Sequence, residues 1–268
     1  MSDTREVSGG LAYRKSFGLP SSKIIEYYFC KMKKKVALLY VGLTRSNVLM
    51  NTDNHVRLYK QMFPRDEYEI DLYMVTDSID VVELTRQMDA ADIRVKRVLF
   101  TNKDTDDETM AIQLQNIKQH NAHNTSPQWG TYTSQAIQFR KLHIGISTIL
   151  ESGTHYDYFM KTRNDLVFHG PVSFDERIVT HIGDVFFLCK SDKMCMFLDF
   201  YKHNGSLNDL TLVAGSVWDP RNRQDGFPRW ILAPEIQLLL YLTKKTNTKY
   251  DDLFRDCCQG VKVDIKRS

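Results

Sequence analysis

The stretch HYDYFMKTRNDLVF, residues 155–168, is the most informative part of this sequence. Its first half, residues 156–161, alternates aromatic and polar side chains, which predicts a buried β-strand. Arg163, Asn164 and Asp165 follow at the carboxyl end of that strand. Ligands of open α/β sheets bind beyond the carboxyl ends of the strands, so these three residues are a candidate binding site. The alternative is a solvated strand end at which Arg163 pairs with Asp165 on the surface.

Apolar runs alternate with amphipathic segments before this strand. Residues 36–43 (VALLYVGL) form a nearly continuous apolar run, typical of a central parallel strand covered on both faces. Residues 68–76 and 94–100 predict two further strands, and residues 48–62 and 81–90 predict the helices between them. This alternation predicts an α/β fold with a mostly parallel central sheet and helices on both faces.

The remaining elements continue the pattern. A long helix over residues 132–151 leads directly into the strand quoted above. Residues 184–190 predict another strand and residues 193–201 a helix. A further helix is predicted over residues 233–243, and Pro234 in its first turn suits a helix start.

Composition excludes several classes of protein. The chain has 268 residues, of which 42% are hydrophobic and 26% charged, as in an ordinary globular protein with a sizeable core. A net charge of +3 is too small to suggest nucleic acid as a partner. No G-x-G-x-x-G follows the first strand, which argues against an NAD enzyme. We expect no signal peptide and no transmembrane segment, and five cysteines without metal-ligand spacing indicate a reduced, cytoplasmic protein.

The order of the motifs resembles a known family. A first strand ending in a glycine-containing loop is followed by a second strand ending in Thr76-Asp77, the long helix, the strand YDYFMKTRND and the helix APEIQLLLYL. This order resembles nucleotide-sugar-dependent glycosyltransferases of the GT-A type. It is similar more narrowly to the WavE lipopolysaccharide-synthesis family and related glycosyltransferases of large DNA viruses. The resemblance spans residues 35–245 and includes the K-x-R-x-D motif of that group, matched by Lys161, Arg163 and Asp165.

The resemblance implies a fold and an activity. The fold would be a GT-A-like, Rossmann-type sandwich over residues 34–250, with a nucleotide-sugar-binding half (34–165) and an acceptor half (166–250). Residues 1–33 would form an N-terminal extension and residues 251–268 a C-terminal tail. The activity would be transfer of a sugar from a UDP-linked or other nucleotide-sugar donor to a glycan, glycolipid or glycoprotein, assisted by Mn²⁺ or Mg²⁺. The setting would be a bacterial or infected host cytoplasm, with the protein peripheral at a membrane.

Asp165 is the expected metal ligand. Mg²⁺-type ions take one or two carboxylates together with phosphate oxygens, so a single carboxylate suffices. Asn164 stands where many relatives have an acidic residue, and it would be a second ligand or a ribose contact. Arg163 would either hold phosphate or orient Asp165. Phosphate binding by Arg163 or Lys161 without a metal is the alternative.

Other residues are expected to contact the donor. The nucleoside would lie against the loop after the first strand, formed by Gly42, Leu43, Thr44 and Arg45, unless this loop is a plain connection. Asp77 would bind the base or ribose, or would cap the helix that starts near Ile79. Arg140 or Lys141 would reach the diphosphate, unless both belong to a solvated helix face.

An inverting transfer requires a general base for the acceptor hydroxyl. Glu235, after Pro234 at the start of an apolar helix, is the first candidate, and Asp225 is the second. The alternative for Glu235 is a first-turn carboxylate that stabilises the helix dipole. Two other functions stay open at this point: a nucleotidyltransferase, and a non-catalytic nucleotide- or carbohydrate-binding module of the same fold.

Overall fold

The computed structural model describes residues 32–42, 48–77, 79–101, 129–170, 172–182, 185–198, 200, 238, 241–243, 245–256 and 263–265. Backbone contacts divide the chain after Met32, and every element below belongs to the unit Lys33–Ser268.

A seven-stranded mixed sheet forms the centre of this unit. Its strands are β1 (Lys34–Val41), β2 (Tyr68–Thr76), β3 (Ile93–Phe100), β4 (Tyr158–Thr162), β6 (Val179–Ile182), β7 (Phe186–Lys190) and β8 (Phe254–Asp256). The order across the sheet is β3-β2-β1-β4-β7-β6-β8. The first four strands in this order are parallel to one another, and β7 is antiparallel to both β4 and β6. Two short strands, β5 (Leu166–Phe168) and β9 (Val263–Ile265), form a separate antiparallel pair.

Helices cover both faces of the sheet. They are α1 (Val48–Met62), α2 (Val81–Asp89), α3 (Trp129–Glu151), α4 (Cys195–Leu198) and α5 (Tyr250–Leu253), with a 3₁₀ helix at Ser191–Lys193. Positions 238, 241–243, 245 and 246 are also helical, at the end of the helix predicted over 233–243.

The two faces of β1 explain why this sequence forms a sandwich. Successive side chains of a strand point to opposite faces. Leu39 lies in one core cluster with Leu142 and Ile146 of α3, whereas Leu38 lies in the other with Leu58 of α1. Every residue from Val36 to Val41 is at most 2% exposed, as expected for a central strand. The predicted α/β fold, with a mostly parallel sheet and helices on both faces, is confirmed.

A glycine sets the distance between α3 and β1. A Cβ atom added to Gly145 would lie 2.5 Å from Leu39 Cδ1, so any larger residue would require Leu39 or the helix to shift. One turn earlier, Lys141 contacts the carbonyl of Gly42 just beyond the end of β1. The helix therefore runs antiparallel to β1 and brings Lys141 to the carboxyl edge of the sheet.

The structure departs from the predictions beyond β4. Within the predicted helix over residues 193–201, α4 and position 200 are helical, and a 3₁₀ turn at Ser191–Lys193 leads into it. The segment expected as a C-terminal tail contributes β8, which pairs with β6, and β9, which pairs with β5. Three-residue strands have no detectable periodicity, so only their pairing partners reveal them. Among the described residues, no helix has the length and apolar character needed to cross a membrane.

Candidate functional site

Three parallel strands end together at one edge of the sheet. Val41 of β1 pairs with Val75 of β2, and Tyr40 pairs with Thr162 of β4. The residues that follow these strands therefore lie side by side. They include Gly42, Asp77 and the segment Arg163, Asn164 and Asp165, which we call the RND turn.

Gly42 ends β1 in a conformation that favours glycine. Its φ is +152°, and its N–H donates to Val75 O at 3.3 Å. A Cβ atom at this position would lie 3.9 Å from Asn164 Oδ1. Asn164, the expected second metal ligand or ribose contact, lies beside the end of β1 and is 4% exposed. The end of β1 is thus enclosed by β2 on one side and the RND turn on the other.

Lys141 and Asp77 form an ion pair at this edge. Lys141 Nζ donates to Asp77 Oδ1 at 2.6 Å and to Gly42 O at 3.4 Å. The Lys141 side chain is 2% exposed and that of Asp77 is 25% exposed. A buried ammonium needs a charged or hydrogen-bonded partner, and Asp77 with the strand end supplies one. The alternative of a solvated helix face is therefore wrong for Lys141, which supports Asp77 instead of facing solvent.

The helix-cap alternative for Asp77 is also wrong. Asp80 is the N-cap of α2, where its side chain accepts a hydrogen bond from Glu83 N at 3.0 Å. Asp77 lies three residues earlier, and its carboxylate accepts a hydrogen bond from Lys141. Its candidate role in binding a base or ribose stays a prediction.

Arg163 and Asp165 form a bidentate ion pair within the RND turn. Arg163 Nε donates to Asp165 Oδ1 at 2.9 Å, and Nη2 donates to Oδ2 at 2.6 Å. The two side chains are only 18% and 10% exposed, so the pair is largely buried and not the surface pair of the alternative prediction. A fork of two parallel hydrogen bonds fixes the orientation of the carboxylate.

The RND turn carries oxygen atoms that suit a divalent cation. Carboxylate and amide oxygens are ligands that Mg²⁺ and Mn²⁺ take, and phosphate oxygens complete such sites. Both oxygens of Asp165 accept one hydrogen bond from Arg163, and each keeps a second lone pair with which it could bind an ion beside this ion pair. In the part of the chain that the structure describes, no three His, Cys, Asp or Glu side chains are grouped as a metal site.

Lys161 and Arg140 differ in accessibility. Lys161 is 2% exposed, and its Nζ lies 5.3 Å from the centre of the Phe187 ring, so it is enclosed within the sheet region. This burial does not favour direct phosphate binding by Lys161. Arg140 is partly exposed on α3, next to Lys141.

A buried polar network under the RND turn was not identified from the sequence. His55 Nδ1 lies 2.8 Å from Tyr40 Oη, and His55 Nε2 lies 2.8 Å from Leu166 O. Because a carbonyl only accepts, Nε2 carries the proton and Nδ1 accepts from Tyr40. Burial lowers the pKa of His55 to about 4, so the ring is neutral at neutral pH. The sequence feature that could have indicated this network is the spacing of His55 and Tyr59, which lie four residues apart on the apolar face of a helix.

Several predicted site residues lie outside the described residues: Leu43, Thr44, Arg45, Asp225 and Glu235.

Known proteins resemble this chain only weakly. No protein-family model matches it, and no curated protein is significantly similar in sequence. Among solved structures, the mannosyltransferase Ktr4p from S. cerevisiae has a TM-score of 0.37 at 13% identity, over 57% of this chain and 39% of that chain. Core-mannan synthase A from Aspergillus fumigatus, in its Mn/GDP form, has a TM-score of 0.34 at 9% identity, over 54% and 38%. Mouse xyloside xylosyltransferase 1, in its apo form, has a TM-score of 0.36 at 8% identity, over 84% and 85%. Similarity at this level assigns no ligand and no reaction to this chain.

Proposed function

We propose that this chain is a glycosyltransferase that uses a nucleotide-sugar donor and binds it at the carboxyl edge of β1, β2 and β4. The observation that carries the proposal is the set of charged side chains gathered there from three distant parts of the sequence. Two ion pairs, Lys141 with Asp77 and Arg163 with Asp165, lie beside the strand ends. This edge is where open α/β sheets bind nucleotides. The resemblance of the K-x-R-x-D motif to that of glycosyltransferases supports glycosyl transfer as the reaction.

The residues of this edge have separate roles in the proposal. Asp77, held by Lys141 and 25% exposed, accepts hydrogen bonds from the base or ribose of the donor. Asp165 holds a divalent ion against the diphosphate while Arg163 orients its carboxylate. Such an ion neutralises the charge that develops on the leaving diphosphate. Arg163 also places a positive charge next to the diphosphate. Glu235, with Asp225 as the second candidate, removes the proton of the acceptor hydroxyl.

The first experiment measures donor binding. Thermal unfolding of the full chain is followed with UDP-, GDP- and CMP-sugars, with and without Mn²⁺, because a ligand that binds the native state raises the Tm. We expect one class of nucleotide-sugar to raise the Tm, and Mn²⁺ to increase the shift. A larger shift with a nucleoside triphosphate would favour a nucleotidyltransferase. Binding without donor hydrolysis or transfer would favour a non-catalytic module.

Two variants separate binding from transfer. Asp165→Ala is expected to abolish the Mn²⁺-dependent part of the Tm shift. Glu235→Ala is expected to leave the donor-induced shift unchanged and to remove transfer. Full turnover by Glu235→Ala would exclude it as the base, and an unchanged Mn²⁺ response in Asp165→Ala would exclude Asp165 as the ligand.

A further inference from the structure

We propose that Asn54 and His55 of α1 are positioning residues that fix the RND turn at the edge of the sheet. The inference depends on the proposed function only for what the turn does, not for how it is held. It starts from the short strand β5, which follows the turn immediately. Two adjacent side chains of α1, Asn54 and His55, form hydrogen bonds with the backbone of this strand.

Asn54 binds β5 as a neighbouring strand would. Its Nδ2 donates to Phe168 O at 2.8 Å, and Phe168 N donates to its Oδ1 at 2.9 Å. One amide side chain thus satisfies both polar groups of a buried residue's backbone. The other side of β5 pairs with β9, where Phe168 is opposite Val263. The strand is therefore held from two directions.

His55 ties the start of β5 to β1. Its Nε2 donates to Leu166 O at 2.8 Å, one residue after the turn. Its Nδ1 accepts from Tyr40 Oη at 2.8 Å, and Tyr40 is paired with Thr162, one residue before the turn. The pairing of β1 with β4 therefore holds the start of the RND turn, and His55 ties its end to the same strand, β1. Tyr59 Oη, 2.8 Å from Tyr40 Oη, completes the network.

His55 can affect the RND turn only through its hydrogen bonds, because its ring is buried. The ring is 1% exposed, lies among Tyr40, Tyr59 and Phe168, and is not accessible to a substrate. The negative charge of Asp165 raises the pKa of His55, but less than burial lowers it. His55 thus acts on the RND turn through Leu166 O. A displacement of about 1 Å at a catalytic group costs roughly 10²-fold in rate, so loss of this support should appear in kcat.

The test compares four variants of the full chain. Asn54→Ala and His55→Leu remove the contacts, and His55→Gln keeps an amide donor for Leu166 O. Leu84→Val is the matched control, because Leu84 is a fully buried residue of α2 on the same side of the sheet and bonds to no part of the turn. The measurements are kcat and KM with the nucleotide-sugar that stabilises the wild type, at a folded fraction established by circular dichroism. Hydrogen exchange of the Phe168 amide is measured in parallel.

We expect Asn54→Ala and His55→Leu to lower kcat about tenfold or more, with a smaller change in KM. His55→Gln should recover most of the kcat, and Leu84→Val should keep it. Phe168 amide protection should fall in Asn54→Ala and persist in Leu84→Val. The proposal is overturned if kcat falls no further in the two loss variants than in Leu84→Val, or if Phe168 protection is unchanged in Asn54→Ala. If the wild type turns over no nucleotide-sugar, the proposed function fails, and Phe168 exchange alone decides whether Asn54 holds the turn.

Discussion

Lys141 Nζ lies 2.6 Å from Asp77 Oδ1, although the two residues are 64 positions apart in the sequence. The contact joins the middle of α3 to the end of β2 and places a buried positive charge at the candidate donor site. Two features make it possible. Gly145 allows α3 to approach β1, and the parallel pairing of β1 with β2 brings Asp77 beside Gly42. The ion pair is therefore a consequence of the sheet topology and of one small side chain.

Asp77→Asn is expected to destabilise the protein by about 3 kcal/mol, because it leaves the Lys141 ammonium buried without its counter-charge. The double variant Lys141→Met with Asp77→Asn should recover more than half of that loss. Urea unfolding of Asp77→Asn, Lys141→Met and the double variant gives the coupling energy between the two side chains. If the losses of the two single variants simply add in the double variant, the two side chains do not interact.

Arg163→Met separates the two roles considered for Arg163. If the guanidinium orients Asp165, the variant should lower kcat and leave the affinity for nucleoside diphosphate in EDTA nearly unchanged. Isothermal calorimetry with UDP and GDP measures that affinity, and Arg177→Met is the control because Arg177 is an exposed partner of Asp175. A loss of tenfold or more in metal-free affinity would instead identify Arg163 as a phosphate ligand.

Gly145→Ala is expected to reduce the free energy of unfolding by roughly 1–3 kcal/mol, since the added Cβ would lie 2.5 Å from Leu39 Cδ1. Donor affinity should also fall, because α3 carries Lys141. Gly170→Ala is the matched control, as nothing lies within 4 Å of its Cβ position. Equal stabilities for the two variants would show that α3 does not need a glycine here.

His55 makes stability depend on pH in a defined window. Its pKa is about 4 in the folded chain and about 6.5 when exposed, so the unfolded chain binds more protons between these values. This contribution to stability is complete above pH 6.5 and is lost as the pH falls towards 4. At about 1.4 kcal/mol per pKa unit, it amounts to about 3 kcal/mol.

The check is the difference between the wild type and His55→Gln in urea unfolding at several pH values. That difference should shrink as the pH falls from 6.5 to 4, since glutamine does not titrate. A difference that stays constant across the window would mean that folding does not change the pKa of His55.

Much of the fold followed from local patterns. The runs of β1 and β2 contain enough apolar residues in a row to identify buried parallel strands, whereas β3 mixes apolar and charged residues and lies at the edge of the sheet. The boundaries of α1, α2 and α3 are close to those predicted. The antiparallel arrangement of β7 and the short β8 and β9 were not predicted. The direction of a strand depends on its partners, and three residues carry no periodic signal.

Local patterns were enough to predict the α/β class and the position of Arg163, Asn164 and Asp165 after a buried strand, because strand periodicity and charge placement are local properties. The partners of those charges depend on the tertiary structure. Lys141 with Asp77, and His55 with Leu166, meet across long sequence separations. No local pattern encodes such contacts, since they arise only when the sheet order and the close approach of its helices are set.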